Sequence, residues 1–131
     1  MGGVSEVREF RVAMTVADFD RALVFYRDAL GLDQLEDWSS DEGRVVLLDA
    51  GRATLELLDD AQAALVDRIE AGGRVSGSIR LALEVDDSAE MAQRLVAAGA
   101  EAVQEPVVTP WGDRNARVRA PDGLQLTLFS S

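Results

Sequence analysis

The chain has 131 residues, 47% of them apolar, with no cysteine and no histidine. That length suits one domain with a proper core, and the missing residue types exclude a disulfide framework, thiolate chemistry and histidine as base or ligand. A net charge of −11, with every basic residue an arginine, argues against nonspecific nucleic-acid binding because phosphates would be repelled, and is compatible with a cationic small molecule.

The opening stretch MGGVSEVREF has no cationic flank before an apolar core, so no signal peptide is expected. No apolar run approaches the roughly 20 residues of a membrane span, and a cytoplasmic protein follows by default. Residues 9–16 alternate, with Phe10, Val12, Met14 and Val16 on one face and Arg11, Ala13 and Thr15 on the other. Asp18 is a natural N-cap for a helix through FDRALVFYRDALG, with Phe19, Leu23, Tyr26 and Leu30 at helical spacing and Gly31 as its stop. Strands are predicted at 33–38, 44–49 and 53–58, separated by tight turns at 41–43 and 50–51.

A connecting helix over 59–73 follows, with Leu65, Val66 and Ile69 as its inner face and Gly72-Gly73 ending it. The order then repeats. Residues 78–86 alternate, with Arg80, Ala82 and Glu84 opposite Ile79, Leu81, Leu83 and Val85. SAEMAQRLVAAG reads as a helix with Met91, Leu95 and Ala98 as its stripe and Gly99 as its stop. Strands at 101–105, 114–120 and 124–129 complete the unit, with APDG at 120–123 as a hairpin turn. Asp59-Asp60 and Asp86-Asp87 stand at helix starts and read as caps.

Two segments match in order and spacing: Arg11 and Val16 recur as Arg80 and Val85, and ATLELL at 53–58 recurs as LQLTLF at 124–129. The repeat, about 65–70 residues long, reads as a duplicated βαβββ module. The expected fold is α+β: two tandem modules, about 7–58 and 77–130, forming cupped mixed sheets, joined by a helical connector 59–76 within one domain, 1–131. One face carries Arg11, Glu56, Arg80 and Thr127. An arginine on a buried face is costly without a partner or a wet cavity, so that face curls into a cavity or meets a partner.

The pattern V-x-D-x-x-x-A-x-x-F-Y-x-x-x-L-G is present as Val16, Asp18, Ala22, Phe25, Tyr26, Leu30 and Gly31. Late in the chain stand Pro110-Trp111-Gly112 and Pro121-Asp122-Gly123. With the paired modules, the sequence resembles the vicinal oxygen chelate superfamily, which includes glyoxalase I, extradiol dioxygenases, fosfomycin-resistance enzymes and bleomycin-resistance proteins. The resemblance spans about residues 7–129. It implies a homodimer with clefts across the subunit interface, and metal ligands at four strand positions, commonly His or Gln, Glu, His and Glu. Here those positions hold Arg11, Glu56, Arg80 and Thr127, of which only Glu56 is a ligand type. Arginine repels a cation and does not deprotonate, so no metal and no cofactor is expected.

Two readings of the altered site stand side by side. Glu56 pairs with Arg11, Arg80 or both, or the guanidinium groups face a ligand and bind its oxygens. Neighbouring arginines are expected to lower the Glu56 pKa and weaken it as a base. Trp38 and Trp111 stand beside predicted loops, as core or as stacking faces for a planar or cationic ligand. Phe25 and Tyr26 are expected in the core, and Arg114, Arg117 and Arg119 along an exposed strand edge. The favoured function is metal-free small-molecule binding of the bleomycin-resistance type, sequestering an antibiotic or metabolite, with no nucleic-acid or membrane partner. A lyase or isomerase in the glyoxalase style, or another enzyme of the fold, is the first alternative. A structural or regulatory dimer with an occluded cup is the second.

Overall fold

A computed structural model describes residues 6–73 and 77–131. Strand β1 (Glu9–Thr15) leads to α1, which starts as an α-helix over Phe19–Leu23 and continues with wider π-type winding over Val24–Ala29. Then come β2 (Gln34–Asp37), β3 (Val45–Asp49), β4 (Thr54–Leu58) and helix α2 (Asp60–Ala71). The second module is β5 (Ile79–Glu84), α3 (Ser88–Ala97), β6 (Glu101–Val108), β7 (Arg114–Arg119) and β8 (Gln125–Ser130). The last residues of the expected connector, 74–76, lie outside the described residues.

The strands form one continuous eight-stranded sheet in the order β2-β3-β4-β1-β5-β8-β7-β6, rather than separate sheets. Within the modules β1 runs parallel to β4 and β5 parallel to β8, and β1 meets β5 antiparallel at the centre. The repeat read from the sequence thus becomes an internal symmetry whose seam is the β1–β5 ladder.

Helices α1 and α3 cover one face of the sheet. Phe19 and Leu23 pack on Val46, Leu48 and Leu57, while Met91 and Leu95 pack against Val85, Ala116 and Leu128. The caps are those expected: the side chains of Asp18, Asp59 and Asp87 accept from the backbone N–H of Arg21, Gln62 and Glu90. The second half of α1 departs from expectation. Leu30 N–H reaches back five residues to the Phe25 carbonyl, so the wider turn rotates the apolar stripe. Tyr26 still packs on the core, but Phe25 is 61% exposed, and Leu30 is exposed too.

Helix α2 lies on the opposite face, where Val66 packs with Ala13, Val45 and Leu58. Its buried side is Gln62, Ala63, Val66, Asp67 and Glu70; of the expected Leu65, Val66 and Ile69, only Val66 is buried. Strand β7 is not a sheet edge either, since β6 lies outside it. Arg114 and Arg119 are exposed as expected, but Arg117 is 0% exposed. The two corrections share one cause: carboxylates of α2 bury themselves against the guanidinium of Arg117. The outer strand β6 carries Pro106, which lacks a ladder donor and is tolerated at an edge.

Candidate functional site

The sheet register assembles the site. Ala13 on β1 stands opposite Glu56 on β4 and Arg80 on β5, so the three form one row across the sheet. Ala82 on β5 stands opposite Arg11 on β1 and Thr127 on β8, forming a second row. Because side chains alternate at period 2, both rows point to the same face. A small alanine at the middle of each row leaves space above the strands. The resulting hollow, about 430 Å³, is floored by this face and walled by Gln62, Val66 and Glu70 of α2. Those residues recur at helical steps of four, forming one stripe. Trp38 and Trp111 line it as well, both about half exposed. The Trp111 turn is pinned by Thr109, which accepts from Asp113 N–H through its hydroxyl at 3.1 Å and donates its own N–H to the Asp113 carbonyl at 2.7 Å.

The sequence-based site residues separate into distinct roles. Arg11 is held by Glu9 through two hydrogen bonds, 2.7 and 3.0 Å, and its guanidinium lies over the rings of Trp38 (5.3 Å) and Phe129 (4.6 Å). Burial alone would depress the Arg11 pKa, but the Glu9 hydrogen bond and the charges of Glu56, Glu9 and Glu84 hold it above the ordinary arginine value. Thr127 lies beneath the hollow with its hydroxyl fully used: it donates to Glu70 at 2.9 Å and accepts from Arg80 at 3.2 Å and Arg117 at 3.1 Å. Arg117 also donates to Asp67 at 3.0 Å and Glu70 at 2.7 Å. These bonds fasten α2 to the second module.

Glu56 and Arg80 remain. Both are buried and line the hollow, and among the described residues neither has an ion-pair partner within 4.0 Å. The direct pairing of Glu56 with Arg11 or Arg80, one of the two sequence-based readings, is therefore not formed. The expected depression of the Glu56 pKa is also overturned. Burial pushes its carboxyl above the ordinary value; the charges of Arg80 and Arg11 oppose this without cancelling it, and Glu70 and Glu9 add to it.

An acid whose folded pKa is raised contributes fully to stability below its unfolded pKa and loses that contribution as pH rises through the folded value. Glu56→Gln removes the buried charge, so the variant is expected to be more stable than the parent at pH 7. The gap should close as pH falls below the unfolded carboxylate value. Urea unfolding at pH 7 and pH 4 checks this; a variant less stable at pH 7 contradicts it.

A divalent cation does not suit this face. The four positions offer two guanidinium groups, one carboxylate and one hydroxyl that is already committed. Among the described residues, no three His, Cys, Asp or Glu side chains gather to hold a metal ion. Sequence reasoning missed Gln62, Glu70 and Asn115, which also line the hollow. Their signal was present as polar residues at one step of a strand and one stripe of a helix, a pattern that ordinarily faces water.

Residues 10–128 match the model of the Glyoxalase/Bleomycin resistance protein/Dioxygenase superfamily. The chain belongs to that superfamily. No curated protein shows significant similarity to it. Among solved structures, a hypothetical protein of Bacillus halodurans C-125 aligns with a TM-score of 0.72 at 19% identity, over 97% of this chain and 96% of that one. Methylmalonyl-CoA epimerase from Mycobacterium tuberculosis aligns with a TM-score of 0.69 at 26% identity, over 99% and 92%. A superfamily member from Vibrio splendidus 12B01 aligns with a TM-score of 0.66 at 17% identity, over 95% and 99%. The hollow is lined by residues of both modules of this chain. Among the described residues, no helix is long and apolar enough to cross a membrane.

Proposed function

We propose that this protein captures a small planar molecule in the hollow without the help of a metal ion, as a sequestering protein of the resistance type. The observation that carries this reading is the unpaired Glu56 and Arg80 at the base of a cavity of about 430 Å³ with two half-exposed tryptophans on its walls. That volume falls in the range of ordinary small-molecule sites, roughly 300–1,000 Å³. The positions that hold a cation in metal-dependent relatives repel one here, so recognition falls to hydrogen bonds and ring stacking.

Trp38 and Trp111 are the only tryptophans in the chain, and both line the cavity. Intrinsic fluorescence therefore reports directly on occupancy. Titration with planar compounds of cationic, neutral and anionic type is expected to give a saturable change with at least one set. Silence across all of them removes the proposal.

A second reading rests on Glu56. A buried carboxyl with a raised pKa is better suited to proton transfer than an ordinary one. The likeness to a methylmalonyl-CoA epimerase makes abstraction of an acidic C–H proton the reaction to test. Exchange of the methylmalonyl-CoA C–H proton with deuterated solvent, followed by NMR and abolished by Glu56→Gln, would establish it. No exchange leaves capture as the function.

A further inference from the structure

The inward face of the hollow is unequal in its hydrogen-bonding groups, and on the capture reading above this decides which molecules it holds. Of the two arginines that line it, Arg11 is already spent: its Nε and Nη2 donate to Glu9 and its guanidinium lies against two rings. Arg80 is the remaining cation, and one of its nitrogens donates to Thr127.

Three residues of the lining carry acceptors that no described residue supplies with a donor. The Glu56 carboxylate accepts no hydrogen bond from any described residue. Asn115 Oδ1 is buried with no partner, and so is Gln62 Oε1. The orientation of Asn115 is set by chemistry: its Nδ2 donates to Glu70 Oε2 at 2.7 Å, and a carboxylate can only accept. Its oxygen is therefore the atom left over. A buried acceptor without a donor is unfavourable, so a ligand supplying N–H groups recovers that cost. Charge favours the same class of ligand. Glu9 neutralises Arg11, Arg117 neutralises Glu70, and Arg80 stands against Glu56; Asp113 on the wall then tips the site negative.

We propose that the hollow selects planar cations whose buried end carries two or more N–H donors, of the amidinium or guanidinium type, with the ring lying toward Trp38 and Trp111. The acceptors of Glu56, Asn115 and Gln62 read the N–H groups, and the carboxylate supplies the countercharge. Arg80 and Thr127 stay bonded to each other beneath. In this arrangement the guanidinium groups do not act as an anion receptor, which separates the proposal from the reading in which they bind a ligand's oxygens.

Benzamidine, benzamide and benzoate share one ring and shape and differ in charge and donors. Calorimetric titration of the parent protein at millimolar ligand is expected to show benzamidine binding at least tenfold tighter than the other two. Glu56→Gln, a variant expected to fold more stably, should weaken benzamidine binding at least tenfold. Gln62→Leu, which removes an acceptor that has no partner in the protein, should weaken it severalfold. Benzamidine that fails to bind, or binds no better than benzoate, overturns the proposal, as does unchanged affinity in Glu56→Gln. If a neutral or anionic planar compound nevertheless titrates the tryptophans, capture stands and only the cation preference falls. If no compound of any type does so, both fall.

Discussion

Replacing Arg117 with methionine is expected to cost about 3–5 kcal/mol, the range for breaking a buried ion pair by removing one partner. Its guanidinium is fully buried and donates to Asp67, Glu70, Thr127 and Gln125. Methionine fills much of the volume but leaves two buried carboxylates without this cation. Since a domain is stable by only about 5–15 kcal/mol, the variant should lose a large part of its cooperative unfolding transition. Helix α2 should loosen first, because these bonds tie it to β7 and β8. The triple variant R117M/D67N/E70Q, which removes the charges together, should recover much of the loss, since the penalty comes from unbalanced charge. Urea denaturation of the three proteins tests both expectations. A loss below about 1 kcal/mol for the single variant would place the cluster among weak surface pairs.

Gly43→Ala is expected to destabilise by about 2–3 kcal/mol, in the upper part of the overpacking range. The reason is space and not backbone angle, since Gly43 is absent from the positive-φ glycines. A Cβ there would lie 2.5 Å from the backbone nitrogen of Gln62 and 2.6 Å from its Cα, at the start of α2. Backbone cannot swing aside as a flexible side chain does. The start of α2 must therefore move, taking Gln62 with it and altering the wall of the hollow. Thermal unfolding and the fluorescence titration should both report the change. Gly51→Ala makes a useful contrast: a Cβ there meets nothing within 4 Å, but φ is +82°, so any penalty comes from backbone strain alone and the hollow is untouched.

The alternating runs at 9–16 and 78–86 were sufficient to place Arg11 and Arg80 on the same kind of face, because a strand side chain's direction follows from counting. The caps at Asp18, Asp59 and Asp87 were legible for a similar reason: a short acceptor before a helix satisfies donors three residues away. Phe25 was not legible, because the added residue per turn in α1 changes which positions face the core. Arg117 was not legible either. The nearest arginines in sequence, Arg114 and Arg119, stand in solvent, and the carboxylates that bury Arg117 lie on a helix 47 and 50 residues earlier.

What the amino-acid order determined alone was local and periodic: the duplicated βαβββ pattern and the strand faces, with Arg11 and Arg80 at matching steps of the two modules. The tertiary structure decided the rest. It aligned Glu56, Ala13 and Arg80 across three strands, spent Arg11 on Glu9 and two aromatic rings, and swung α2 over the polar face of the sheet. Whether a charge is free or satisfied depends on groups brought near it from distant parts of the chain. Periodicity gives the direction of a side chain, and only the folded arrangement gives what it meets.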